Sequence, residues 1–423
     1  MINQGNSYVA YTPRIVDELL RKFLSYSGAV LIEGPRGCGK TRTALEASNS
    51  SVFLDDPIEQ ELVALSPELV LKGEYPRLID EWQLSPQVWN LVRRSVDQEQ
   101  RPGCYILTGS SVPADDVTRH TGAARFLRLQ QRTMTSFERL GGAGNVSLQG
   151  LFAGERPEAS RAQLSYSEVI SHILGSGFPG WQDRDFEGQR TLARGYANEI
   201  VRTDLGRLTE VRHNPKVLDR LLRSLARNAC AELKFSKLAA DLEQVAPNMH
   251  ATTVARYVEQ LERLFVLERL EAWTPALRSR ARLRTTAKIQ LVEAAFVAAL
   301  LNATVQKLEA DPQTAGFIFE SAVIHDLRVY AQAMNAEIFY YRDSNGKEID
   351  AIVVGEDGRW GAVEVKLGAG QIAAAQQSLQ NAIADIDLSL AGEPYFRLVV
   401  TGTGPTMTLP DGTVTAPLTS LAP

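Results

Sequence analysis

The run LIEGPRGCGKT, residues 31–41, constrains the fold more than any other stretch of the chain. Val30, Leu31 and Ile32 form a short apolar run suited to a buried strand. It passes directly into Gly34, Gly37, Gly39, Lys40 and Thr41, which fit the phosphate-loop spacing G-x-x-x-x-G-K-[ST]. Glycines at these positions let the backbone curl, so that successive N–H groups aim at one phosphate and the following helix adds its positive N-terminus. Lys40 would bridge the outer phosphates as a point charge, and the Thr41 hydroxyl would ligate Mg²⁺. The expected nucleotide-binding set is therefore Gly34, Pro35, Arg36, Gly37, Cys38, Gly39, Lys40, Thr41 and Arg42, with ATP and Mg²⁺ as the cofactors. The bland alternative is a glycine-rich strand-to-helix turn carrying a surface lysine.

Downstream, YPRLIDEWQ (residues 75–83) ends an apolar strand on two acids, which at a strand's carboxyl end project into the ligand crevice of an open α/β sheet. Asp80 is the expected Mg²⁺ holder, and Glu81 the group that orients and deprotonates the attacking water. An Asp-Glu pair capping the next helix is the competing account. The run YILTGSS (residues 105–111) is a further strand that ends in small hydroxyl residues. Ser110 or Ser111 is placed to touch the terminal phosphate or the lytic water. Arg119, Arg125, Arg128 and Arg132 follow as candidates for a finger that reaches a neighbouring subunit's nucleotide, with Arg125 favoured. Apolar segments at 30–32, 52–54, 77–79 and 105–107, separated by helical or loop stretches, argue for a parallel sheet with helices on its faces.

GPRGCGKT, LIDEWQ and ILTGSS, in that order and spacing, resemble the AAA+ ATPases that carry a DUF4143 domain at the carboxyl end. KIQLVEAAFVAALL, GFIFESAVIHDL and EIDAIVV…AVEVKLG resemble the family's later segments, so the likeness extends over nearly the whole chain. Trp82 stands where the family usually has a smaller apolar residue, and Glu293 where it usually has Asp. The resemblance implies an ATPase that assembles with copies of itself as a ring or other homo-oligomer.

At 423 residues the chain exceeds one ordinary core. The expected fold class is α/β: a P-loop parallel-sheet ATPase domain (1–145), a helical lid or linker (146–215), a winged-helix-like segment (216–285) and a mixed α/β nuclease-like domain (286–423). The linker reading rests on the glycine-rich, polar stretch 141–150 and the GERPEAS that follows. In the winged-helix-like segment, three amphipathic helices precede the strand VLERLEAW, and Thr252, Thr253 and Arg256 are placed to meet a nucleic-acid groove. The module also serves elsewhere as a packing or partner domain. The tail from 402 onward is turn-rich.

Asp350 ends the strand EIDAIVV, and in AVEVKLG the side chains of Glu364 and Lys366 flank Val365 and so share a strand face. With Glu320 on an apolar helix, these residues resemble the PD-(D/E)XK nuclease core. That resemblance implies a metal held by Glu320, Asp350 and Glu364, with Lys366 steadying developing phosphate charge. Such cores are also reused as inactive binding domains, and fold alone does not decide between the two.

A net charge of −5 supplies no global field for nucleic acid, so any such contact needs a local patch. Five histidines and three isolated cysteines (Cys38, Cys104, Cys230) suggest no metal cluster and no disulfide framework. The first residues lack the basic start and apolar core of a signal peptide, and the longest apolar stretch, near 291–301, is broken by Glu293. A reduced, cytoplasmic setting without membrane contact is expected. Two functions compete: an Mg²⁺-dependent ATPase whose nuclease-like domain binds or cleaves nucleic acid, and a nucleotide-controlled regulator, such as an antitoxin or scaffold, that binds a protein partner.

Overall fold

The computed structural model describes residues 11–111, 123–161, 164–204, 214–275 and 286–423. Arg119 lies outside them. Their contacts fall into two units: the first holds the described residues of 1–32, 39–109 and 119–129, and the second holds the remainder.

The first unit is built on a sheet of β1 (Ala29–Glu33), β2 (Ser50–Phe53), β3 (Arg77–Asp80), β4 (Tyr105–Gly109) and β5 (Phe126–Gln130), in the order β2-β3-β4-β1-β5. β2, β3 and β4 pair in parallel. Both faces are covered, which is why these strands read as near-continuous apolar runs rather than as alternation. Leu31, Ile79 and Leu107 pack one way, with Val52, Val88, Trp89 and Val92. Val30, Ile32, Leu78 and Ile106 pack in a second cluster with Leu19, Leu20 and Leu24 of α1 (Val16–Tyr26). The short helix α2 (Lys40–Glu46) follows the glycine-rich loop, and α3 (Gln87–Glu99) follows the acidic pair. Trp82 is buried, tilted against Trp89 at 5.0 Å between ring centroids, and Trp89 stacks on Phe126 at 4.1 Å. The large residue at position 82 is thus absorbed by an aromatic stack.

In the second unit, α4 (Pro215–Arg227), α5 (Phe235–Leu242) and α6 (Ala251–Arg263) lead to an antiparallel pair, β6 (Leu267–Leu270) and β7 (Lys288–Leu291). Val254, Val258, Leu261 and Leu264 are buried, as their helical spacing demands, while Thr252 and Arg256 are exposed. The apolar stretch after Glu293 is α7 (Ala294–Leu300), buried along its whole length. No helix among the described residues is long and apolar enough to cross a membrane.

The carboxyl-terminal region is a mixed six-stranded sheet. β8 (Glu337–Arg342), β9 (Glu348–Val354) and β10 (Trp360–Lys366) pair antiparallel, and β11 (Phe396–Thr401) runs parallel to β10. β12 (Met407–Thr408) and β13 (Val414–Pro417) complete the order β12-β13-β11-β10-β9-β8. Before β8 comes the long helix α8 (Pro312–Ala333). After β10, α9 (Ile372–Ile383) buries Ala375, Leu379 and Ala382 against Ile352, Trp360, Ala362 and Val399.

Two expectations change here. The stretch 141–150 is ordered: its strand Val146–Ser147 pairs in parallel with Leu421–Ala422, and Ser147 caps the helix Leu148–Phe152. Its glycines allow close backbone approach, since a Cβ on Gly144 would lie 2.4 Å from the Leu421 carbonyl oxygen. The turn-rich tail likewise supplies β13 to the main sheet.

Candidate functional site

The glycine-rich loop is shaped by backbone geometry. Gly37 and Gly39 sit at φ 83° and 103°, a region that L side chains rarely adopt. Gly34 has no room for a side chain, because a Cβ there would stand 2.0 Å from the Gln131 carbonyl oxygen. Gln131 holds the loop at several points. Its N–H donates to the Glu33 carbonyl at 2.8 Å, its Nε2 donates to the Cys38 carbonyl at 3.3 Å, and its own carbonyl accepts from Cys38 Sγ at 3.3 Å. Cys38 is fully buried, so a small residue packed under the loop accounts for it. Between them, Pro35 accepts from the Cys38 N–H and Arg36 is exposed. Lys40, the first residue of α2, is buried, and Arg42 reaches Glu46 at 3.4 Å on the surface.

Within the first unit the acids of β3 meet α2. Thr41 Oγ1 donates to Asp80 Oδ1 at 2.9 Å, and Thr108 Oγ1 donates to the same carboxylate oxygen. Asp80 is 5% exposed, and burial pushes its carboxyl above the ordinary range against the pull of both threonines. A hydroxyl and a carboxylate oxygen in contact make a hard-donor pair, which fits Mg²⁺. Glu81 adopts φ 53° and ψ 43°, unusual for a non-glycine residue, and its N–H donates to Thr108 Oγ1 at 3.3 Å. Gln83 Nε2 donates to the Glu81 carboxylate. Thr108 and Gln83 thus hold the acidic pair in place, where the sequence pointed instead to Ser110. The available signal was a threonine inside the apolar run YILT. Ser110 itself is buried just beyond β4. Arg125 donates to Asp97 Oδ1 at 2.8 Å and to the Ala123 carbonyl at 3.1 Å.

The acids of the carboxyl-terminal sheet are gathered by an irregular strand. Asp350 lies third in β9 rather than at the strand's end, and the β8–β9 register shifts between Ile349 and Ile352, which puts it in the irregularity, a device that re-aims side chains. Asp350 Oδ2 accepts from the Val365 N–H at 2.8 Å. Lys366 Nζ pairs with Glu364 Oε1 at 2.9 Å. Glu320 Oε1 takes Lys288 Nζ at 3.3 Å, and the same ammonium pairs with Glu348. Burial, reinforced by the Asp350 charge, pushes the Glu320 carboxyl up to about 8 and that of Glu364 up to about 7. Burial also raises Asp350, against Lys366 and Lys288.

Glu320, Asp350 and Glu364 therefore each answer to a different partner. Among the described residues no three His, Cys, Asp or Glu side chains come together as a metal-binding group. Two lysines, Lys288 and Lys366, already stand on these acids. Lys288 escaped the sequence reading, although a lysine opening the apolar strand KIQL was a visible anomaly.

Further polar contacts tie the segment after β5 to α8. Gln332 Nε2 donates to the Gln130 carbonyl at 2.9 Å, and Arg132 donates to Gln332 at 2.8 Å and to Glu268 at 2.7 and 2.9 Å. Arg328 adds a second cation on Glu268 at 3.0 Å. Burial alone would raise the Glu268 carboxyl, but Arg132 and Arg328 outweigh it and hold it at about 2. Thr133 meets His325 at 2.9 Å, and the Ser136 N–H donates to Asp326 at 2.9 Å. Glu293 is buried and accepts from Ser176 Oγ at 2.7 Å and the Gly177 N–H at 2.8 Å, so the longer acid has a fixed structural task.

A parallel sheet whose first strand opens into a phosphate loop, with an acid at the end of β3, defines a P-loop ATPase fold. The model of an AAA domain matches residues 26–133, and that of DUF4143, a domain of unknown function, matches residues 315–421. A second domain of unknown function, DUF8612, matches residues 167–307. The chain thus carries an AAA-type domain and, toward its carboxyl end, a DUF4143 domain. It is similar to uncharacterized proteins of Mycobacterium tuberculosis and Mycobacterium bovis, each 24% identical over 376 residues, covering 88% of this chain and 77% of theirs. Among solved structures, it is similar to a Walker-type ATPase of Pyrococcus abyssi (14% identity, 67% of this chain, 94% of that one, TM-score 0.42). The FIGL-1 AAA domain in complex with ADP is a further match (15% identity, 60% and 85%, TM-score 0.23).

Proposed function

We propose that the chain binds and hydrolyses ATP with Mg²⁺, and that its nucleotide state governs a carboxyl-terminal domain that binds a protein partner. The observation that carries the control is the polar run inside the second unit. It leads from the loop at Glu33 and Cys38, through Gln131, to Gln130 and Arg132, and from there to Gln332 on α8 directly and to Arg328 on α8 through Glu268. That helix also bears Glu320.

In the ATPase reading, the N–H groups of residues 34–41 cradle the phosphates and Lys40 adds its charge. Thr41 and Asp80 would hold Mg²⁺, which neutralises charge on the phosphate oxygens. Glu81 orients the lytic water, and Gln83 fixes its carboxylate. Filling the loop pulls on Gln131, and the hydrogen-bonded segment passes the displacement to α8.

Hydrogen exchange of α8 amides, with and without a non-hydrolysable ATP analogue, tests this. Protection should change in the wild type and change less in Gln131→Ala, which removes the Nε2 contact to Cys38 but keeps the main-chain ones, with nucleotide binding retained. Identical exchange in the wild type with and without the analogue ends the proposal.

Cleavage of nucleic acid is the second reading. It is favoured by Glu364 Oε2, which is buried with no hydrogen-bond partner. Incubation with linear and circular DNA and RNA, with Mg²⁺ or Mn²⁺, decides it. Nicking that Asp350→Ala abolishes while ATPase activity persists would establish a nuclease.

A further inference from the structure

The acidic cluster on β9, β10 and α8 contains a cation of its own. Lys288 is 4% exposed, on a strand otherwise made of Ile289, Gln290 and Leu291. A buried ammonium is costly unless its protons meet acceptors. Lys288 Nζ meets two, Glu320 and Glu348, and lies 5.2 Å from the centre of the Tyr340 ring. Asp350 acts on it electrostatically as well. Arg342 Nη1 stands 3.8 Å from the other Glu348 oxygen and 3.1 Å from Glu232, so the outer side of the cluster is also answered by a cation. Lys366 does the same for Glu364.

These contacts set three cations among the nuclease-like carboxylates and answer much of the negative charge that would draw in a divalent ion, Glu364 Oε2 being the oxygen left without a hydrogen-bond partner. We propose that Lys288 is the resident cation of this cluster, taking among Glu320, Glu348 and Asp350 the electrostatic place a divalent metal would take. The domain then keeps its acids together without a metal. The inference rests on the partner-binding reading of the domain, and it explains why four acids can persist in one region of a module that needs no ion. Once Lys288 is removed, the acids repel one another, and a divalent ion becomes the cheapest way to restore balance.

The test is Mn²⁺ titration of the full, nucleotide-free chain, read by electron paramagnetic resonance. Wild type should hold no Mn²⁺ that depends on Asp350. Lys288→Met should gain one site, about tenfold or more tighter than anything in wild type, and Lys288→Met/Asp350→Asn should lose it. Lys288→Arg should behave as wild type. If Lys288→Met does not fold, Lys288→Met/Glu348→Gln removes one charge of each sign and should show a smaller gain at the same site, from Glu320 and Asp350 left without Lys288. A wild-type Mn²⁺ site that Asp350→Asn abolishes overturns the proposal, as does a folded Lys288→Met or Lys288→Met/Glu348→Gln chain that binds no more than wild type. Neither result touches the nucleotide-dependent exchange of α8, so failure here and failure of ATP control are separately visible.

Discussion

At the scale of the residue, two side chains separate binding from turnover. Lys40 is buried at the start of α2, and no other lysine stands in the loop to replace its charge. Lys40→Ala should lose measurable affinity in a fluorescent-nucleotide titration, and undiminished binding would remove the loop from the mechanism. Glu81 sits in a left-handed backbone conformation held by Thr108 and Gln83, and such strain persists only where surroundings impose it. Glu81→Gln keeps the shape but cannot take a proton, so ATP should bind and persist while turnover falls by about 100-fold. Turnover at the wild-type rate in that variant would show that another group orients the water.

At the scale of the element, the partly buried pair of arginines on Glu268 joins β6, α8 and the segment after β5. Breaking a fully buried pair by removing one partner costs roughly 3–5 kcal/mol; with Glu268 21% exposed the loss is smaller, and Glu268→Gln should melt below wild type at neutral pH. The folded carboxyl is depressed to about 2. Its stabilisation is therefore complete above the unfolded value, about 4.3, and is lost as pH falls from there toward the folded one. Denaturant titrations near neutrality and in acid should show the gap between the two proteins narrowing in acid; a gap independent of pH would deny the ion pair its role. None of this was legible beforehand, because Arg132, Glu268 and Arg328 are far apart in sequence and only tertiary packing brings them together. What was legible was local. The phosphate loop, β1 to β4 and the α4–α6 series announce themselves through glycine spacing, doubly buried apolar runs and helical periodicity. β5 was hidden because the two arginines of RFLRLQ mask an edge strand, and Val146–Ser147 because glycine-rich backbone reads as a linker until a partner strand arrives. Glu364 and Lys366 were read correctly as sharing a face, whereas Lys288, which answers the neighbouring acids, comes from a different strand and carried no motif.

At the scale of the whole molecule, the resemblance to AAA+ ATPases implied assembly with copies of itself, and Arg125 tests that idea. The Arg125–Asp97 pair has both side chains 40% exposed. Exposed pairs contribute only about 0–1 kcal/mol, so this contact can be given up for a phosphate on a neighbouring copy. Arginine is suited to that exchange, because its planar fork binds phosphate oxygens bidentately. Sedimentation with a non-hydrolysable ATP analogue should then show larger species for wild type and fewer for Arg125→Ala. Asp97→Asn, which releases the arginine without removing it, should assemble at least as well as wild type. The opposite pattern, with Asp97→Asn as impaired as Arg125→Ala, would mean that the pair serves the fold of its own unit. A wild type that hydrolyses ATP at full rate while strictly monomeric would exclude a nucleotide site completed by a second copy.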